Sequence, residues 1–247
     1  MESFVGTFHI LQILKIEFCH TLSSYFLLTL LVPQGAEYQA VCRGLKSRKS
    51  PPQVVALPIG VEPVTQFLTH WQRSPSFTEV LQSGVLVMGL CGSLTAKLSV
   101  GDRVLYQSCR NASGKIWECD STLTDQIQQH LTETTLVRGL TSDRVISSAH
   151  EKQQLGQIHQ ADVVDMEGSA IMTTLAQAGV PVAMARVVSD DIDHDLPDLS
   201  AAISPAGKLR SLPLALGMIR QPIAALRLIR GSLKGLQAIE AIAAHLP

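Results

Sequence analysis

The sequence shows almost no charge imbalance: 20 Lys and Arg stand against 21 Asp and Glu, a formal net charge of -1. Only 4% of its residues are aromatic, and no basic stripe carries interleaved aromatics. A nucleic-acid surface is therefore excluded and a small-molecule partner expected. The five cysteines (Cys19, Cys42, Cys91, Cys109, Cys119) contain no C-x-x-C pair and are odd in number. That argues against a disulfide framework and a structural zinc site, and points to a cytoplasmic protein. There is no internal repeat, no low-complexity tract, no P-loop and no G-x-G-x-x-G. Long hydrophobic runs are also missing. The apolar stretch Tyr25 to Val32 has eight residues, well short of the roughly 20 that span a bilayer as a helix. A signal peptide would need a basic start and a small-residue cleavage site. This chain begins Met1-Glu2-Ser3, and the apolar run ends in Val32-Pro33-Gln34-Gly35. The run reads as a buried strand, with residues 1–24 an N-terminal extension whose status the sequence leaves open.

What is present is an alternation. Short apolar runs bounded by Gly and Pro predict strands over 25–32, 53–58, 84–89, 101–107, 135–139, 162–165 and 181–188. Helical spacing falls between them at 36–46, 62–72, 122–133, 149–160 and 167–178. In the last of these, Asp165 can cap the start and Gly179 with Pro181 stops it. At 247 residues the chain is long enough for one large α/β domain, read as residues 25–247 with a helical tail from about 205. The stretch 43–52 is a basic, Pro-terminated link.

Three constellations bear on chemistry, and each also has a purely structural explanation. Gly89-Leu90-Cys91-Gly92-Ser93 follows an apolar strand, and its glycines would let backbone N–H groups approach an anion or merely permit a tight turn. Asp165-Met166-Glu167 lies where a short strand passes into a helix. A carboxylate there can accept hydrogen bonds from two adjacent ribose hydroxyls and stabilise an oxocarbenium-like transition state, with Met166 against the sugar. Equally, Glu167 suits a helix dipole and Met166 a core. Arg186-Val187-Val188-Ser189-Asp190-Asp191 ends a strand in acids, on the side of an α/β sheet where ligands bind. An acid there, its pKa raised by burial, can protonate a departing purine, or it can cap a surface loop.

The segments VMGLCGSL, ADVVDMEGSAI and ARVVSDDIDH, in this order and spacing over about Phe26 to Asp195, resemble the motifs of the nucleoside phosphorylase and nucleosidase superfamily. The resemblance implies a three-layer α/β/α sandwich with a mixed, twisted central sheet, a homo-oligomer, and no metal or organic cofactor. It implies that Glu167 binds the ribose hydroxyls, Met166 packs on the ribose, and Asp190 is the general acid at the purine, steadied by Ser189. Gly92 and Ser93 would lie by the phosphate or nucleophile, and Glu37 where nucleosidases place the acid that activates water. Val145 and Ile146 fall where the base is held, with Val145 in place of the usual aromatic ring.

The tail from Leu196 to Ala244 is similar to the C-terminal region of hopanoid-associated phosphorylases, which release adenine from adenosylhopane. Within it Arg220, Arg227, Arg230 and Lys234 recur at helical spacing beside Ile219, Ile223, Leu226, Ile229 and Leu233. That pattern fits a helix resting on a membrane, or a packed helix with a solvated basic side. The resemblance thus implies phosphorolysis of an adenine nucleoside, lipid-linked in the leading case, with inorganic phosphate as co-substrate. Hydrolysis of methylthioadenosine or S-adenosylhomocysteine is the nearer alternative, and a non-catalytic nucleoside-binding or membrane-associated scaffold the farther one.

Overall fold

Period-two alternation along the strands sorts their side chains into two separate cores. Leu31, Val85, Val87, Val182 and Met184 enter one, and Leu30, Val32, Leu86, Met88, Ala183 and Ala185 enter the other. Successive residues of a strand face opposite sides, so a sheet apolar on both faces needs helices over both. The computed structural model describes residues 28–131 and 133–246. The expected extension over 1–24 and the start of the expected strand 25–32 lie outside the described residues.

In chain order the elements are β1 (Thr29–Pro33), α1 (Ala36–Gly44), β2 (Val54–Leu57), α2 (Val61–Trp71), α3 (Phe77–Ser83), β3 (Val85–Ser93), β4 (Arg103–Asn111), β5 (Ile116–Glu118), α4 (Ser121–His130), β6 (Thr134–Thr141), α5 (Ala149–His159), β7 (Val163–Asp165), α6 (Gly168–Gln177), β8 (Val182–Asp190), α7 (Ser211–Arg220) and α8 (Pro222–His245). Helices α2, α3 and α6 contribute Leu68, Val80 and Ile171 to the first core. Helices α1, α4 and α8 contribute Val41, Ile127 and Ile239 to the second. This is a three-layer α/β/α sandwich on a mixed sheet, the α/β fold of the strand-and-helix alternation in the form that the resemblance implies.

The sheet runs β2-β1-β3-β7-β6-β4-β5, with β8 paired to both β3 and β4. Strand β3 lies parallel to β8 from Val85 to Gly92 and meets β7 antiparallel over its last two residues. The path β3-β8-β4-β6-β7 therefore returns to β3 and the sheet closes on itself. Gly92 is the junction, with Asp190 as its partner on β8 and Val164 on β7. A register shift between Cys91 and Gly92 bends the strand there, as bulges do.

Two elements were not expected. Helix α3 is under two turns long and β5 has three residues, too short for either to show a period. Helix α4 starts at its Asp120 cap, whose Oδ1 accepts from the Leu123 N–H at 2.8 Å. The tail is helical from Ser211, later than the expected start near 205, because a turn closed by the Ile203–Leu209 bridge precedes it, and Pro222 opens α8 at a position where its missing N–H costs no hydrogen bond. Gly44 lets α1 cross α8 closely, since a Cβ there would stand 2.3 Å from the Glu240 carbonyl oxygen. No helix among the described residues is long and apolar enough to cross a membrane.

Candidate active site

Closure of the sheet at Gly92 draws the carboxyl ends of β3, β7 and β8 together, and a cavity of about 180 Å³ opens over them. Its lining includes Glu37, Gly92, Val145, Ile146, Met166, Glu167, Ser189 and Asp190. These come from five separate stretches of chain. Ser93 is not among the lining residues. It is fully buried and its hydroxyl donates to the Thr95 carbonyl oxygen at 2.7 Å, so it is occupied by its own turn.

Glu37 sits in the first turn of α1, delivered there by Gly35 at φ 97°, a backbone region open to glycine. Its Oε1 accepts from the Leu90 N–H at 2.7 Å. Gly89 makes room beneath, because a Cβ there would lie 2.9 Å from Glu37 Oε1 and 2.4 Å from Arg186 Nη1. Burial pushes the Glu37 carboxyl up, opposed by the Leu90 N–H and Arg186.

Glu167 lies between β7 and α6. Asp165 Oδ1 accepts from the Gly168 N–H at 3.0 Å and from the Thr141 hydroxyl at 2.8 Å, so it starts the helix as the sequence predicts. Glu167 Oε1 accepts from the Gly60 N–H at 3.2 Å. Burial pushes its carboxyl up to about 7; Arg186 opposes the shift, while Asp165 and Glu37 add to it.

Arg186 links these acids. Its side chain is 1% exposed, with Nη2 3.5 Å from Glu167 Oε2 and 3.7 Å from Asp165 Oδ2. Burial works against its charge, but the surrounding carboxylates, Asp165 first, outweigh it and hold the guanidinium protonated more firmly than usual. An arginine inside an apolar strand, Ala185-Arg186-Val187, was the available signal. A charge in that position needs buried partners.

Asp190 ends β8 with both oxygens held. The Ser189 hydroxyl donates to Oδ1 at 2.7 Å, and Lys152 Nζ lies 2.5 Å from Oδ2 and 2.8 Å from the Asp191 carbonyl oxygen. Lys152 is fully buried, the one buried residue of α5. Nothing in the polar pattern of α5 marks it, although a lysine in a first turn runs against the helix dipole. Gly92 lies against Asp190, and a Cβ there would stand 2.7 Å from Oδ2.

No aromatic residue is among those lining this cavity. Where the resemblance placed the base, Val145 and Ile146 present aliphatic surface instead, with Leu196 beside them. Ile59, Arg144, Val145 and Met166 also line a second cavity of about 460 Å³, reached past Gly60, Val61, Pro63, Leu199, Ile203 and Pro205. Among the described residues no group of His, Cys, Asp and Glu is placed to hold a metal ion.

The fold has well-matched counterparts among solved structures. Futalosine hydrolase of Helicobacter pylori strain 26695 superposes with a TM-score of 0.65 at 15% identity, over 87% of this chain and 94% of that one. The 5'-methylthioadenosine/S-adenosyl homocysteine nucleosidase of Helicobacter pylori gives 0.63 at 15%, over 87% and 94%. That of S. pneumoniae gives 0.62 at 16%, over 88% and 98%. At such identities the likeness is one of fold. The family model described as the phosphorylase superfamily matches residues 79–204, the stretch that contains Gly92, Lys152, Glu167 and Asp190. The chain belongs to the phosphorylase superfamily.

Proposed function

We propose that this protein cleaves the N-glycosidic bond of an adenine nucleoside carrying a 5' substituent, with water as the attacking group. The observation that carries this reading is the convergence of Glu37, Met166, Glu167 and Asp190 on one cavity. In this reading Asp190 is the acid for the base, Glu167 and Met166 the clamp for the sugar, and Glu37 the base for water.

The steps follow from the side chains. Glu167 accepts hydrogen bonds from the ribose hydroxyls and Met166 packs on the sugar face. As the C1'–N9 bond lengthens, Asp190 delivers a proton to N7, so the base leaves neutral rather than as an anion. The Lys152 ammonium on Oδ2 offsets the negative charge that Asp190 acquires as the proton leaves, and the proton that Glu37 takes from water returns to Asp190 through solvent after the products depart. Positive charge gathering on the ribosyl ring is offset by the carboxylates beneath it. Glu37 takes a proton from water as the water oxygen bonds to C1'. The products are adenine and the free 5-substituted pentose. Glu37 is suited to this because burial raises the basicity of its carboxylate.

The 5' substituent extends into the second cavity, whose lining offers Ile59, Val61, Pro63, Leu199 and Ile203. These apolar side chains favour a thioether or hydrocarbon substituent, and the resemblance of the tail to hopanoid-associated phosphorylases makes a lipid-linked adenosine the leading substrate. The similarity in fold to proteins named as nucleosidases and a hydrolase supports water as the nucleophile. Phosphorolysis is the second reading, favoured by that same tail and by the Arg144 guanidinium at the cavity wall.

Product analysis tests the choice. With purified protein and a 5'-substituted adenosine, the hydrolytic reading expects free pentose at the same rate with and without phosphate. Release that requires phosphate and yields a pentose 1-phosphate would overturn it.

A further inference from the structure

Between Asp198 and Glu240 the sequence contains no Asp or Glu but six cations: Lys208, Arg210, Arg220, Arg227, Arg230 and Lys234. That is nearly a third of the 20 basic residues of the chain and none of its 21 acids. Lys234 donates to the Val100 carbonyl oxygen at 2.7 Å, and Arg220 lies near enough to Asp198 to help hold its carboxyl below the usual range. Among the described residues, none of the other five is in an ion pair with a carboxylate.

The same stretch exposes large apolar side chains. Leu212 is 72% exposed, Ile219 74% and Ile223 70%, with Leu216, Leu226 and Leu233 also out in solvent. Helix α7 has no buried residue at all. Helix α8 is divided lengthwise. Ala225, Gly231, Gly235, Ile239 and Ile242 form its buried side, while Ile223, Leu226, Arg227, Arg230 and Leu233 recur at three- and four-residue spacing on the opposite side. A water-facing helix side normally carries few large aliphatics, and a clustered apolar patch marks a contact surface.

The position of the patch relates it to the site. Gly231 seats α8 on the end of β8, where a Cβ would lie 2.1 Å from the Ser189 carbonyl oxygen. The α7–α8 junction is tied to the segment leaving Asp190, because Gln221 Oε1 accepts from the Asp198 N–H at 3.0 Å. The exposed side of α8 thus lies one helix diameter, about 10 Å, from the strand end that bears Asp190.

We propose that the exposed side of α7 and the first half of α8 docks on the surface of an anionic phospholipid bilayer. Its charge selects this occupant. Leucine and isoleucine flanked by arginine, with no acid on α7 or the first half of α8, is the composition of a helix that lies in the headgroup layer, and the six cations outnumber Asp193, Asp195 and Asp198 at its edge. A second copy of the chain fits poorly, since a two-fold contact would bring two copies of the same cation-rich side together. The surface does not depend on the reaction assigned to the cavity, and its test needs no turnover.

Full-length protein is co-sedimented with phosphatidylcholine vesicles and with vesicles also containing phosphatidylglycerol, at low and high salt. The expected result is binding only to the anionic vesicles, weakened by salt and reduced at least about tenfold in R227E/R230E and in I219S/I223S. Both variants change only exposed residues, and a thermal melt and circular dichroism spectrum matching those of the parent show that they fold. Three results would overturn the proposal: no binding, equal binding to neutral vesicles, or variants that bind as the parent does. So would a lipid-free oligomer, seen by sedimentation velocity, that I219S/I223S takes apart.

Discussion

Lys152 Nζ lies 2.5 Å from Asp190 Oδ2, with Lys152 fully buried and the Asp190 side chain 13% exposed. A buried ammonium on α5 and a carboxylate at the end of β8 therefore act as one unit. Removing either partner of such a pair leaves the other without compensation, at a cost of about 3–5 kcal/mol. Lys152→Met should lower both stability and kcat, with a smaller change in KM, because Lys152 acts through Asp190 and does not line the cavity. It should also displace the pH profile of kcat from that of the parent. A variant that loses stability but keeps the parental kcat and pH profile would reduce Lys152 to a structural role.

Gly92 is small for a reason that involves the same carboxylate. A Cβ there would sit 2.7 Å from Asp190 Oδ2, so Gly92→Ala must push Asp190 or β3 aside. We expect kcat to fall at least tenfold, or about 1.4 kcal/mol in the barrier, with base release as the readout. An Ala variant of parental activity would show that the position of Asp190 is not critical.

Glu167 provides a pH test with a definite sign. Its carboxyl is pushed from an ordinary 4.5 up to about 7 in the folded chain. Between those pH values the native state holds a proton that the unfolded chain has lost. The associated stability is therefore complete below about pH 4.5 and lost as pH rises through about 7. Glu167→Gln has no such dependence and should gain on the parent over this window by an amount on the order of 1–3 kcal/mol. Urea melts at pH 5 and pH 8 measure this, and a variant whose deficit or gain is equal at both would contradict the assignment.

Much of the fold was legible because its signals are local. Leu30 to Val32, Val85 to Met88 and Val182 to Val188 carry the apolar, β-branched character of buried strands, and Gly179 with Pro181 ends α6 where expected. The closed sheet was not legible, since the pairing of Gly92 with both Val164 and Asp190 is a tertiary event with no pattern in the residues around it. The site divides along the same line. Glu37, Met166, Glu167 and Asp190 stand at strand-to-helix or strand-to-loop boundaries, where a polar group at an element end is conspicuous, and they meet in one cavity. Lys152 was missed because helix α5 is mostly polar, with only Leu155 and Ile158 as large apolar residues, and only the fold turns that lysine inward. Ser93 looked suitable by type and position, yet its hydroxyl closes a turn with Thr95.

A substitution at Glu37 tests whether binding and attack separate. Its carboxylate is held by the Leu90 N–H, a bond that a Gln side-chain oxygen can also accept. Glu37→Gln should therefore keep the nucleoside affinity of the parent while slowing hydrolysis by about 10²–10⁴, the usual scale of a lost general base. Calorimetric titration with a nucleoside, beside a base-release assay, distinguishes this from a loss of binding.

The account turns on N-glycosidic cleavage assisted by Asp190, and the rate of adenine release from a 5'-substituted adenosine measures it most directly. The parent protein should release adenine in phosphate-free buffer, and Asp190→Asn should slow release by about 10²–10⁴ while still binding the nucleoside. Adenine release by Asp190→Asn at the parental rate, or none from the parent with any adenosine tested, would contradict it.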